Sequence, residues 1–345
     1  MTSVRILRGL DARRFLAAPD HWQRLLADDR YATPYQSSAW LSAWAGHLPP
    51  TATPLVLVAE EAARPVAALA LVREHLYGRG RITPLGAPTA DYIRPVGRRA
   101  DDIDAVSALV ETLAGFVRDG ESVRLSDVPL SSTLGWYIAS QREWRRTTTD
   151  CAAVRLPVHY GQLSRDTRRS HQRRRRAWRD LVDGGHQVRI DRCSGSALLP
   201  AWDILLDLHR SRWGALPAAE AQLTDVLTHA ASSGAAFIEV LRMNGVPLAA
   251  QLCLTRHRSA YSLLTAMSDG YRDLAPGHCL LRWLAATLYR DGYEVLDTGR
   301  IRPEEGQRRY RRQYDSVIAS TVTADLVPTT PARRTPAVAT LQGAA

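Results

Sequence analysis

The chain has 345 residues, 45% of them hydrophobic, with a formal net charge of +10 and a pI near 9.9. Its length suits two domains, each with enough apolar residues to bury a core. All 45 cations are arginine, and without lysine no lysine Schiff base, lysine general base or phosphate-loop lysine can operate. Guanidinium grips phosphate with two parallel hydrogen bonds, so this charge suits phosphate-rich partners; it equally suits a chain kept soluble by arginine. The cysteines Cys151, Cys193, Cys253 and Cys279 are isolated, with no C-x-x-C pair, which argues against a zinc site or a disulfide framework. Reduced thiols, the lack of a signal-peptide run at the start and the lack of any long apolar segment lead us to expect a soluble, cytoplasmic protein with no metal and no membrane partner.

In the first half, "DARRFLAAPDHWQRLLADD" (11–29) carries apolar residues at helical spacing, and "SSAWLSAWAGHL" (37–48) reads as a helix with serine at its N-cap. "TPLVLVAEE" and "RPVAALALVREH" read as the two strands of a hairpin. "DDIDAVSALVETLAGFVRD" (101–119) is an amphipathic helix with an acidic first turn, and "ESVRLSDV" a strand.

The second half opens on "LSRDTRRSHQRRRRAWRD" (163–180), eight of whose residues are arginine. The spacing predicts a helix from Leu163 to about Val182, stopped by Gly184-Gly185 and docked by a weak stripe of Leu163, Thr167, Ser170, Arg174 or Ala177, Trp178 and Leu181. "LLPAWDILLDLHRSRW" and "AEAQLTDVLTHAASSG" are further helices, the latter closed by Gly234. Asn244-Gly245 between two β-rich runs is a strong hairpin signal, and the run 260–267 makes it a three-stranded meander. A helix starting at Pro276-Gly277, a strand in "YEVLDTG" and a last strand in "DSVIASTVTADL" follow. The Pro/Thr/Ala-rich end, 327–345, is expected to be disordered. An antiparallel meander followed by a helix and a parallel addition is an α+β (mixed α/β) arrangement.

These stretches resemble the GNAT superfamily, in its two-domain branch related to FemAB and CelD-type proteins. The resemblance rests on "TPYQSSAWLSAWAGHL" and "PLGAPTADYIRPV" in the first half, and on "LHRSRW", "NGVPLAAQL", "LAPGHCLL", "VLDTGR" and "RRYRRQY" in the second. It implies tandem GNAT-like domains at 1–160 and 161–326, each a mostly antiparallel sheet flanked by helices, with acyl transfer to an amine as the parent chemistry. One departure stands out. The family's glycine-rich donor motif Q/R-x-x-G-x-G/A is replaced by "YRDLAPGHCL", which holds only Gly277. The branch includes both CoA users and proteins that take an aminoacyl group from tRNA.

Chemistry points to several residues. The helix start at Pro276 and Gly277 offers free N–H groups to a donor phosphate, with Arg272 as a possible further contact. Backbone N–H groups near Met267 would face a developing oxyanion. Asp297, at a strand end, would take a proton from an attacking ammonium or orient the amine; a turn-capping aspartate is the plain alternative. Tyr310 would protonate the leaving group, and Arg311, standing where the resemblance implies a lysine, would grip charge. His209, one helical turn from Trp213, is a candidate base or a half-buried structural residue. Arg168, Arg169, Arg173, Arg174, Arg175 and Arg176, with a second cluster at Arg300, Arg302, Arg308, Arg309, Arg311 and Arg312, would form a funnel for a polyanion, or simply a solvated face. The expected function is an N-acyltransferase moving an aminoacyl group from aminoacyl-tRNA to a small-molecule amine, with no permanently bound cofactor. The alternatives are an acyl-CoA-dependent N-acetyltransferase and a non-catalytic RNA-binding protein of the same fold.

Overall fold

The computed structural model describes residues 2–76, 78–215, 219–301, 308, 310, 314 and 316–328. Strand β1 (Ser3–Arg8) leads into α1 (Gly9–Ala17). The helix predicted over 11–29 is broken: Ala18 turns extended (φ −74°, ψ 127°) ahead of Pro19, which has no N–H to give and disfavours helical geometry in the residue before it. One π-helical turn, Pro19–Gln23, then leads to the short α2 (Arg24–Ala27). Helix α3 (Ser38–Gly46) begins where the Ser37 side chain accepts from the Trp40 N–H. Strands β2 (Ala52–Glu61), β3 (Arg64–Leu76) and β4 (Arg79–Pro84) form an antiparallel meander. Helix α4 (Ile103–Arg118), capped by the Asp102 carboxylate, crosses back to β5 (Ser122–Pro129), which pairs parallel with β4. Helix α5 (Thr133–Ser140) and β6 (Arg145–Arg155) complete this half.

The second half repeats the course. Helix α6 (Arg165–Asp183) precedes β7 (Val188–Cys193), α7 (Leu198–Trp213) and α8 (Glu220–Ser233), which Gly234 ends with φ 69°. The hairpin β8 (Ala236–Met243) and β9 (Val246–Arg256) turns on Asn244 and Gly245, at φ 50° and 82°, the two positive values that a tight hairpin turn needs. Then come β10 (Ser259–Met267), α9 (Pro276–Arg290), β11 (Val295–Arg300) and β12 (Val317–Leu326).

Among the described residues, the strands join one 12-stranded sheet in the order β1-β2-β3-β4-β5-β12-β6-β11-β10-β9-β8-β7. β1–β5 and β7–β11 are mirror runs about the two central strands. β12, from the far end of the sequence, lies between β5 and β6, and β6 lies between β12 and β11. Each repeat therefore supplies a strand to the other's half, and no break in the sheet falls at residues 160/161. Strand alternation sorts the core. Ile238 and Val240 of β8 pack with α7, α8 and the helices of the first half, while Phe237 packs under α9 and Leu241 under α6 and the start of α9. Helices α6 and α9 thus share one face of the sheet, and α7 and α8 the other.

Candidate active site

Strands β10 and β11 are parallel neighbours only where Ser259, Ala260 and Tyr261 face Val295, Leu296 and Asp297. Beyond that point β10 follows β9 as far as Met267, and β11 follows β6 as far as Arg300. Each strand is held by its outer partner, so the pair splays and a wedge opens with Tyr261 and Asp297 at its apex. A bulge marks the opening: Ser262 faces Cys253 and Leu264 faces Leu252, leaving Leu263 out of the ladder. Backbone groups not spent on pairing are the ones a ligand can use. Beside the bulge, the buried Gln251 donates to Ser262 Oγ at 2.7 Å, and its Oε1 is buried with no partner among the described residues. The first repeat has the same splay, where β4 and β5 pair only at Arg81–Ile82 and Ser122–Val123. There the loop after β4 fills it: Leu85, Ala90, Tyr92, Ile93 and Val96 are buried, and the Ile93 N–H donates to the Asp127 carbonyl at 3.0 Å.

That loop also reaches the second wedge. The Tyr92 hydroxyl donates to Asp297 Oδ2 at 2.7 Å, and the Gly299 N–H donates to Oδ1 at 2.7 Å, so the buried carboxylate is held on both oxygens. Asp91 accepts from the Tyr35 hydroxyl at 3.1 Å and from Arg300 Nε at 2.8 Å. The same guanidinium donates through Nη1 to Asp127 at 3.1 Å and through Nη2 to the Pro88 carbonyl. The rings of Tyr35, Tyr92 and Tyr261 surround the group, with centroids 6.1 to 6.4 Å apart. Two buried carboxylates, Asp91 and Asp127, share one guanidinium. Burial pushes the Asp127 carboxyl up to about 6, with Arg300 pulling the other way. Burial, and then the adjacent carboxylates, push the Tyr35 and Tyr92 phenols well above their usual range. Both phenols therefore stay protonated and act as donors, which keeps Asp297 an oriented acceptor. Arg300 is not part of a free cationic cluster, because its charge is spent on Asp91 and Asp127.

On the opposite face, under α9, lies the predicted donor end. Ala275 adopts a left-handed conformation (φ 49°, ψ 56°), Pro276 starts the helix, and no side chain caps it. A Cβ on Gly277 would stand 3.4 Å from Met267 Sδ, an ordinary van der Waals contact. The Tyr310 hydroxyl donates to the Gly277 carbonyl at 3.2 Å, and its ring lies 4.9 Å from that of His278. Arg174 Nη1 sits 3.1 Å from His278 Nδ1, and the Trp178 indole N–H donates to the Leu274 carbonyl at 2.9 Å. The basic helix α6 is thereby docked onto the start of α9.

The structure thus brings Met267, Pro276, Gly277, Tyr310 and Arg174 together, and sets Asp297 on the other face, with the strand gap between. Met267 itself faces Ala249 in the ladder, and the Ser268 N–H is given to the Leu248 carbonyl at 2.8 Å. The backbone left out of pairing lies at Leu263 instead, because the bulge, invisible in sequence, sits earlier along β10. Arg272 is exposed on the 3-10 turn Asp269–Leu274. His209 is tied to the end of its own helix, Nδ1 3.1 Å from the Gly214 carbonyl and its ring 5.1 Å from Trp213. Arg308 is exposed; Arg302, Arg309, Arg311 and Arg312, and the tail from 329, lie outside the described residues. Along α6, His171 and Trp178 are buried with Thr167, Ser170, Arg174, Ala177 and Leu181 half-buried around them, while Arg168, Arg169, Arg173, Arg175 and Arg176 are exposed. Arg168 turns back to the Gly161 and Leu163 carbonyls, at 2.6 and 2.8 Å. Arg169, Arg173 and Arg176 line a shallow hollow with Asp166 and Asp180.

Sequence reading missed Tyr35, Asp91, Tyr92, Asp127, Tyr261 and His278. Asp91 and Tyr92 lie in the quoted "ADYIRPV", and His278 in "APGHCL", but nothing local shows that the first pair crosses to the other repeat's strand.

Comparison with known proteins agrees with this geometry. Residues 165–312 match the model of the acetyltransferase (GNAT) domain. No curated protein matches the chain significantly. Among solved structures, the crystal structure of FemX superposes with a TM-score of 0.61 at 9% identity, over 93% of this chain and 96% of that one. L-PGS from Bacillus licheniformis gives 0.54 at 13% identity, over 89% and 91%. A tandem GNAT protein from the clavulanic acid biosynthesis pathway gives 0.50 at 13% identity, over 96% and 100%. Among the described residues no helix is long and apolar enough to cross a membrane. Residues 165–312 therefore resemble a GNAT acetyltransferase domain, and at these identities what the whole chain shares with FemX and the tandem GNAT protein is the fold.

Proposed function

We propose that the protein is a cytoplasmic aminoacyltransferase that moves an aminoacyl group from aminoacyl-tRNA to the amine of a small molecule in a biosynthetic pathway. The observation that carries this reading is the arginine-covered face of α6, joined to the start of α9 through Arg174 and His278. A donor lying along α9 would present its acyl carbonyl in the wedge between β10 and β11, while its polyanionic remainder extended over α6. The acceptor nitrogen, entering from the Asp297 face, would attack the ester carbonyl carbon. The carbon–oxygen ester bond breaks, an amide bond forms, and the ammonium proton passes toward the Asp297 carboxylate. The departing ribose oxygen leaves on the α9 side, where it takes a proton from the Tyr310 hydroxyl. Unpaired backbone at the Leu263 bulge would stabilise the oxyanion. Arg311 would add charge to the donor end, as the resemblance implies.

A second reading, acyl transfer from acetyl-CoA or another acyl-CoA, is favoured by the match of 165–312 to an acetyltransferase model. It uses the same wedge and the same helix start and leaves the outer face of α6 idle. The discriminating experiment is binding of bulk aminoacyl-tRNA and of acetyl-CoA to the purified protein, in parallel, at low and high salt. Tight tRNA binding that falls steeply with salt, followed by aminoacyl transfer to an added amine, is the expected result. Acetyl-CoA binding with weak tRNA binding would replace this reading with the second. Salt-dependent RNA binding without turnover of either donor would make the protein a non-catalytic RNA-binding member of the fold.

A further inference from the structure

A cleft of about 610 Å³ separates the two repeats on the face of the sheet away from α9. Its walls are α2 and α3 from the first repeat, and α8 and the end of β9 from the second. His47 and Asp225, 2.8 Å apart, clamp α3 to α8. The volume lies within the range of about 300–1,000 Å³ typical of small-molecule sites.

The lining is unusual in its charge. Apart from His229, Arg256 is the one basic side chain on the cleft, and no carboxylate of the described residues lines it. Arg256 is half-buried, and burial disfavours its charge. Its Nε donates to the Ala32 carbonyl at 3.1 Å and its Nη2 to the Leu26 carbonyl at 2.7 Å, and among the described residues no carboxylate pairs with it. Asp29, the acid whose field reaches it, is spent on Arg94 at 3.2 Å. A half-buried cation held in place by two carbonyls, without a counter-ion, favours an anion from outside. The rest of the lining agrees. Ser37, Ser38, Ser42 and Ser233 stand along its wall, Ser37 and Ser38 at the start of α3.

We propose that this cleft binds a small organic acid, with its carboxylate on Arg256 and its body among the serine hydroxyls. One guanidinium and several hydroxyls match a monoanion of planar shape; a phosphate dianion would call for more than one cation. Because both repeats build the walls, the occupant also holds them together.

The test is isothermal titration of the full-length protein with acetate, benzoate and N-benzoylglycine, each beside its neutral amide. The expected result is binding of at least one acid, with its amide weaker by about tenfold or more, a difference of about 1.4 kcal/mol. Arg256→Gln should weaken the acid by a similar factor. Ser42→Leu, which keeps Arg256 and fills the cleft, should do the same and decides the matter if Arg256→Gln does not fold. Failure of every acid to bind, amides binding as well as acids, Ser42→Leu binding like wild type, or inorganic phosphate displacing the acid at equal concentration would each overturn the proposal.

Discussion

Replacing Arg300 with methionine should uncover the interaction that ties the repeats together. Arg300, on β11, holds Asp91 at 2.8 Å and Asp127 at 3.1 Å, so it links the second repeat to a loop and a strand of the first. The two carboxylates are 12% and 6% exposed and the guanidinium 26%, so the pairs are mostly dry. Removing one partner of a buried pair typically costs about 3–5 kcal/mol; partial exposure of the guanidinium places this case near about 3. Stabilities of about 5–15 kcal/mol make that a large fraction of the whole. The loss should depend on pH, and its sign follows from Asp127. Its folded pKa, about 6, lies above the ordinary 3.8, so the folded state binds its proton more tightly than the unfolded state. This group therefore adds stability fully below about 4, and that stability is lost as pH rises through about 6. Without Arg300, which lowers that pKa, the folded value climbs further and the penalty at neutral pH grows. Urea unfolding at about pH 8 and about pH 5 reads both effects: the variant should lose more at the higher pH and regain part at the lower. A cost below about 1 kcal/mol, or the same cost at both values, would refute the reasoning.

Three further outcomes follow from the same geometry. Asp297→Asn should lower turnover severely while leaving donor binding within a few-fold; unchanged turnover would return Asp297 to the turn-capping role that its bond from Gly299 already performs. Gly299→Ala should cost more than about 2 kcal/mol by thermal or urea unfolding, since φ is 73° and a Cβ would overlap the Asp91 carboxylate; near-wild-type stability would contradict the close packing of β11 on the Tyr92 loop. Arg169, Arg173 and Arg176 changed together to glutamate should weaken tRNA binding and flatten its salt dependence, with the fold and acetyl-CoA binding unaffected, because all three face solvent on α6. Unaltered tRNA binding would leave that face merely solvated.

The sequence alone determined what is local. The Asn244-Gly245 hairpin, the serine cap before Trp40, the Gly234 stop and the helix start at Pro276 are short-range chemistry, and each stands where its residues predicted. The inward stripe of α6 was also legible, since a few apolar residues at helical spacing suffice to dock a helix whose other faces are arginine. Strands β1, β4 and β7 were not: "SVRILR", "RGRITP" and "VRIDRC" are short and charged, and they form strands because a neighbour offers a ladder. The site followed the same division. Residues at the donor end were visible because a helix start and its glycine are consecutive in sequence. The surroundings of Asp297 were not, because Tyr92 lies 205 residues away and meets it only after β6 and β12 have joined the repeats. Which arginines remain on the surface was likewise a tertiary outcome: Arg300 is spent on two buried carboxylates, whereas Arg169, Arg173 and Arg176 remain exposed to water. Composition fixes how much charge a chain carries, and packing alone decides where that charge is neutralised.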